Sequence, residues 1–342
     1  MAVISPASSV TGGRWVVTGG VRTDLSGATE VQVFDFAAQR WALGEALGVG
    51  RFGHAQATLA DGRVLVVGGR AIEAEARLVA LDAVELIEVD GDGVAAGGTL
   101  PVAMGEPTLT VLGDGRAVAI AGESACVFDP ETNAWVETIG LREGRRAHAA
   151  VVVGGAEVLV VGGGRASFEV VDVDAGVSRL LGAGLGFAID DAAVGVGADG
   201  VVWIVGGQRT RTGRTVDRLW RLELDGDGGA ALTEIESGLG VDGGVADHRL
   251  VGVSGGFVAV GGETQTADGD VELDVAFAVS ARDGGVRRLA STAVAHDDAT
   301  AVAHGGFVYV AGGGAPGKMF GVRLPVMPVS VAERLGVAGL FE

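Results

Sequence analysis

The sequence predicts an all-β chain folded as a seven-bladed β-propeller of four-stranded antiparallel blades. Three observations carry that expectation. A tight Gly-Gly or Asp-Gly turn recurs seven times, an aliphatic or aromatic run follows each turn, and a glycine pair closes six of the seven runs. Repetition at a fixed period marks units that cannot bury their apolar faces alone and must stack.

The clearest copy is Arg51 to Gly69, RFGHAQATLADGRVLVVGG. It reads as a strand, an Asp61-Gly62 turn, a second strand and a closing diglycine. An Asp-Gly pair between apolar runs signals a hairpin, with a type I′ turn as the expected geometry. The diglycine lets the backbone leave the second strand through angles that a side chain would forbid. The equivalent turns are Gly12-Gly13, Asp114-Gly115, Gly154-Gly155, Asp199-Gly200, Gly255-Gly256 and Gly305-Gly306. Their closing pairs are Gly19-Gly20, Ala121-Gly122, Gly162-Gly163, Gly206-Gly207, Gly261-Gly262 and Gly312-Gly313. Successive pairs lie 49, 53, 41, 44, 55 and 51 residues apart, room for four strands per repeat.

After each pair comes a polar loop and another apolar run, as in Val31 to Asp35 and Cys126 to Asp129. In both of these a Trp follows the aspartate by six residues, Trp41 and Trp135, and Pro130 pre-sets a turn before the second. The pattern resembles the kelch-repeat family, whose repeat runs Arg-x-x-His, an Asp-Gly hairpin, an aliphatic strand, Gly-Gly, then an aspartate with Trp six later. The resemblance covers about residues 5 to 324. Arg51-x-x-His54 opens the second copy and Asp129 to Trp135 ends the third; in the fourth, Asp172 has no aromatic after it. The resemblance implies the propeller fold, while function must be argued from the loops.

Residues 1–328 are expected to form one propeller and 329–342 a C-terminal tail, with Ser330 to Glu342 as a short helix on its outside. Ala2 to Ser5 is the expected outer strand of the last blade, beside Met319 to Leu324. Val326 to Val331 is the alternative, although Pro325 and Pro328 cannot donate to a ladder.

Composition narrows the function classes. The 342 residues carry a formal net charge of -19, which argues against nucleic-acid binding, because neutralising phosphates needs dense cationic surface. Every basic residue is Arg except Lys318, which fits a GC-rich genome or adaptation to salt. One cysteine, Cys126, excludes an intrachain disulfide. No apolar run approaches the ~20 residues that span a bilayer. The first ten residues have neither a charged n-region nor a long h-region. Localisation stays open between the cytoplasm and, with a trimmed signal, a secreted, periplasmic or cell-surface site.

Two faces differ in charge. Tight hairpins gather Asp61, Asp90, Asp92, Asp114, Asp199, Asp225, Asp227 and Asp283, which read as turn chemistry. The long-loop face gathers Arg22, Arg51, Arg70, Arg77, Arg145, Arg146, Arg165, Arg209, Arg211 and Arg214 from the first five blades. It also gathers Asp190, Asp191, Asp247, Asp297 and Asp298 from the last three. Guanidinium forks suit carboxylates and phosphates. They equally suit ion pairs with neighbours such as Glu73, Glu75, Glu123 and Glu143. His54, His148 and His248 occupy one equivalent position near the channel mouth; a zinc site and a histidine bonded to backbone groups are the two readings, and no metal is assigned. The candidate ligand-binding set is Arg51, His54, Arg70, Arg145, Arg146, His148, Arg165, Arg209, Arg211, His248 and Asp298.

A binding or scaffold propeller is the first reading, monomeric, without cofactor, with a protein or peptide or an anionic carbohydrate as partner. Kelch-like relatives imply alternatives. A copper radical oxidase would need at least two tyrosine ligands, and this sequence has only Tyr309. A sialic-acid-mutarotase-type enzyme could cast Arg51, Arg145, Glu123 and His148 as its polar groups. A purely structural surface protein is the third reading.

Overall fold

The computed structural model describes residues 3–22, 24–73, 77–91, 93–225, 228–236, 238–314 and 332–341. Seven antiparallel sheets follow one another along the chain, and the first strands touch in cyclic order until Thr300–His304 meets Ala7–Thr11. That contact closes the ring. Blade 1 is Ala7–Thr11, Arg14–Thr18, Val31–Asp35 and Arg40–Leu43. Blades 2, 4, 5 and 6 begin at Ala55–Thr58, His148–Gly154, Ala193–Val196 and Arg249–Val253; the ladders of blades 5 and 6 have three further strands, and those of blades 2 and 4 have four. Blade 3 has three strands, because Ala117–Asp129 runs without a break. Its first half pairs with Thr108–Val111 and its second half with Ala134–Arg145.

Apolar packing explains the ring. Second strands such as Val64–Val67 and Val202–Val205 are buried at every position, because both faces of a blade meet a neighbour. An apolar cluster fills each gap between blades. Val16 with Val64 fills the first gap, Leu65 with Phe128 the second, and Ile120 with Val160 the third. Phe168 with Ile204, Trp203 with Phe277 and Val260 with Val310 fill the next three. The seam between blades 7 and 1 is aromatic: Trp15 lies 6.3 Å from Tyr309, and Phe36 stacks on His304 at 3.8 Å. Each fully buried large apolar side chain contributes roughly 1.5–3 kcal/mol.

All six glycine pairs have positive φ at both residues, as their position at the strand exit requires. The Asp-Gly turns differ from expectation. Gly62 has φ +89° but Asp61 is not left-handed. Gly62 N–H bonds to Leu59 C=O, and the Asp61 carboxylate accepts the Arg63 N–H. This is a type I turn followed by a left-handed glycine, and Asp114-Gly115 repeats its backbone bonds. The aspartate acts as an acceptor for the turn, so it need not adopt positive φ.

The chain ends correct two expectations. Val3 to Ser5 is not an outer strand: Ile4 bridges Val21, and the Gly313 N–H bonds to Val3 C=O. This segment is the interblade loop leading into blade 1, the place that Phe52 takes in blade 2, where it bridges Arg70. Among the described residues the expected tail helix gives way to a strand, because Ala332–Gly336 pairs with Phe307–Ala311, the second strand of blade 7. Alternating apolar side chains at Leu335 and Val337 suit the blade interface there, and both belong to the cluster between blades 6 and 7. Met319 to Leu324 and Val326 to Val331 lie outside the described residues.

Candidate functional site

Closure of the ring through its first strands places the interblade loops around one channel mouth. Immediately before each first-strand histidine or its equivalent, a loop residue is bent into the left-handed region. Ser5, Gly53, Glu106, Ala147, Asp191, Asp247 and Asp298 occupy that position in blades 1 to 7, with φ between +51° and +60°. Their N–H groups pass hydrogen bonds around the mouth, Gly53 to Ser5, Ser5 to Asp298, Asp191 to Ala147 and Asp247 to Asp191. Six of the seven are not glycine, and such conformations persist only where the surroundings fix them.

The carboxylates of Asp191, Asp247 and Asp298 therefore converge, with Glu106 beside Asp191 and with Asp297 and Glu263 next to Asp298. Burial, followed by mutual repulsion, pushes Asp191 up to about 7 and Asp297 to about 8, and raises Asp247 well above the carboxylate range. Burial and the neighbouring Asp270 carry Glu263 to about 7. The inner mouth is an acidic cluster.

The predicted arginines divide into three groups. Arg51 and Arg145 are 0% and 1% exposed and form matching internal clamps. Arg51 donates to Gly68 C=O at 3.0 Å and to Ala83 C=O at 2.8 Å, and pairs with Glu85 at 2.5 Å. Arg145 donates to Gly162 C=O at 2.8 Å and Ser167 C=O at 3.0 Å, and pairs with Glu169 at 3.4 Å. Both are occupied inside their blades, which corrects their placement on an exposed rim. Arg22, Arg70 and Arg77 are paired with Glu30, Glu106 and Glu73. Arg146, Arg165, Arg209, Arg211 and Arg214 form the third group. Arg165 and Arg209 flank Ile189 in register, and Arg209, Arg211 and Arg214 share one short loop. The Arg146 N–H bonds to Gly163 C=O, just before Arg165. Arg209 lies 3.8 Å over the Phe187 ring, and Arg165 donates to Gly144 C=O. None of the five pairs with a carboxylate among the described residues.

The histidines do not converge either. His54 bonds to Thr18 Oγ1 at 2.7 Å and His148 to Thr108 Oγ1 at 3.0 Å, each reaching the preceding blade. His248 is 3% exposed, and neither ring nitrogen has a partner among the described residues. Burial lowers His54 to about 3, His148 to about 4 and His248 to about 3, so all three are neutral spacers between blades. Asp298 stands at the mouth, 3.8 Å from Arg249.

Sequence reasoning missed Glu85 and Glu169. Each sits opposite the valine two residues before its blade's glycine pair, Val66 and Val160, a signal legible only once the register is known. Glu106 and Glu263 were missed as well; their place at the mouth shows only once the ring is closed.

No family model and no curated protein matches the chain. Solved structures do. A fungal alcohol oxidase of the AA5 family, in complex with copper, superposes with a TM-score of 0.73 at 15% identity, over 92% of this chain and 70% of that one. YjhT superposes with a TM-score of 0.60 at 12% identity, over 98% of both. The copper of the oxidase finds no matching donors here: Tyr309 is buried in the aromatic seam, and no three His, Cys, Asp or Glu side chains among the described residues are grouped to hold a metal. What the chain has in common with these proteins is the seven-bladed propeller, with its loops gathered at one mouth.

Proposed function

We propose that the protein is a ligand-binding propeller that works from its long-loop face, where the arginine arc of blades 4 and 5 holds the anionic group of a peptide or sugar. One observation carries this reading. In a chain with 44 acidic residues, Arg146, Arg165, Arg209, Arg211 and Arg214 stand together without a carboxylate partner among the described residues. Several guanidinium forks on one anion give charge-assisted, bidentate hydrogen bonds that offset its desolvation. Arg209 is held by stacking on Phe187, so little freedom is lost when it binds.

The test titrates acidic and neutral glycans and peptides against wild type and an Arg146→Glu, Arg165→Glu, Arg211→Glu variant. Acidic ligands should bind the wild type, weaken with salt, and lose at least tenfold in the variant. Equal binding to both proteins would overturn the reading.

A carbohydrate-acting enzyme is the second reading. The observation favouring it is Asp191, a carboxyl held near 7 within reach of the arc through Asp190, which pairs with Gln208. Arg51, Arg145 and His148 supply none of that chemistry, since each is consumed by internal bonds.

A further inference from the structure

We propose that His296 and Glu333 form a protonation-dependent latch that holds the last described strand of blade 7 in the ring. The inference starts from a device repeated three times. In blade 2, Glu85 accepts the Gly48 N–H at 2.5 Å and the Arg51 guanidinium, while Arg51 donates to the glycine-pair carbonyl of Gly68. In blade 4, Glu169 accepts the Arg142 N–H at 2.5 Å and the Arg145 guanidinium, while Arg145 donates to Gly162 C=O. In blade 7, Glu333 accepts the Ala293 N–H at 2.7 Å, and His296 stands where the arginines stand. His296 Nδ1 lies 2.9 Å from Gly312 C=O, and its Nε2 lies 3.2 Å from Glu333 Oε1. The register agrees, because Glu333 faces Val310 as Glu85 faces Val66 and Glu169 faces Val160.

The chemistry of the substitution gives the device its property. Both partners of the His296 ring are acceptors: a carbonyl oxygen, and a carboxylate already fixed by backbone N–H donors. The ring serves both only when each nitrogen carries a proton. Loss of the Nε2 proton to solvent leaves a lone pair facing Oε1 and strands a mostly buried carboxylate without a counter-charge. Arginine cannot make this change, since it stays protonated at any pH a cell reaches. Blades 2 and 4 are therefore clamped permanently, and the ring-closing blade is clamped reversibly.

Other charged groups stand around the ring. Glu333 faces it from the last strand. Glu263, Glu272 and Asp274 belong to the neighbouring loop of blade 6, Arg249 opens the first strand of that blade, and Asp297 and Asp298 follow His296 in the chain. Their titration is common to wild type and to His296→Arg, so the difference between these two proteins isolates the ring.

The experiment measures amide hydrogen exchange of Glu333, Arg334 and Leu335 from pH 5 to pH 9, against Glu85 and Leu86 of blade 2 as an internal standard. In wild type the protection of the last strand should fall about tenfold relative to blade 2 as pH rises, the worth of one charged hydrogen bond. In His296→Arg it should stay level. Parallel profiles in the two proteins overturn the proposal. Should His296→Arg not fold, the ring nitrogens of wild-type His296 are followed by 15N shifts over the same range. Two protons at the acid end and one at the alkaline end, changing in step with protection, support the latch. A ring singly protonated throughout, or protection that ignores its titration, overturns it.

Discussion

The Arg51 guanidinium meets the Glu85 carboxylate at 2.5 Å inside blade 2, with no part of the arginine side chain open to solvent. At the corresponding sites blade 5 has Ile189 and Trp220, and blade 6 has Val245 and Phe277, each pair within one apolar cluster. One fold position thus holds a paired charge in some blades and two apolar side chains in others.

From this follows a prediction on stability. Arg51→Met alone leaves Glu85 buried and unpaired, and should cost about 3–5 kcal/mol. Arg51→Val with Glu85→Phe copies blade 6 and should recover most of the loss. Thermal melts of both variants check this, and a double variant as unstable as the single one would show that the pair cannot be replaced.

Gly68→Val should be severe. Gly68 has φ +59°, and a Cβ there would lie 2.6 Å from the Met104 carbonyl oxygen. Left-handed strain alone costs on the order of 1–3 kcal/mol for such a residue, before the clash is counted. Gly122→Val is the comparison, since it has φ +58° but open space around the added carbon. A melting temperature that falls equally in both would mean strain dominates; a deeper fall in Gly68→Val is expected.

These positions also show what the sequence could and could not reveal. The ring of seven was legible because the turns and glycine pairs are local devices with fixed offsets. The internal role of Arg51 was not, because an arginine before a strand looks the same whether it faces water or Glu85, 34 residues away. The left-handed mouth positions were hidden for a similar reason: Ser5, Glu106 and Ala147 carry no sequence mark of positive φ. Their conformation is imposed by the neighbouring loops. Only Gly53 and the aspartates Asp191, Asp247 and Asp298, of types that tolerate this region, gave a hint.

The buried histidines give a prediction at acid pH. His54, His148 and His248 have folded values of about 3 to 4, below the unfolded value, so the unfolded chain binds the extra protons. Their contribution is complete above about pH 6.5 and is lost as pH falls toward 3. His248, which lacks any hydrogen-bond partner among the described residues, is the one to replace. His248→Phe should melt higher than wild type at pH 4.5 and gain less at pH 7.5. A gain independent of pH would show that packing, not protonation, sets the cost of His248.

The mouth carboxylates act with the opposite sign, and this gives the last prediction. Asp191 and Asp297 hold their protons up to about 7 and 8 in the folded chain, whereas an unfolded carboxyl releases its own near 4. Between those values the folded state binds more protons, so stability is present at the acid end and is lost as pH rises from about 4 to 8. The physical cause is burial first, and then the neighbouring carboxylates that face Asp191, Asp247 and Asp297 at the mouth. Asp191→Asn with Asp247→Asn removes the repulsion and keeps the shape. The double variant should gain on the order of 1 kcal/mol or more at pH 8 and little at pH 4.5, read as the difference in melting temperature from wild type at each pH. If wild type and variant run parallel across that range, the mouth is solvated well enough to ionise freely, and its charge is not a constraint on the fold.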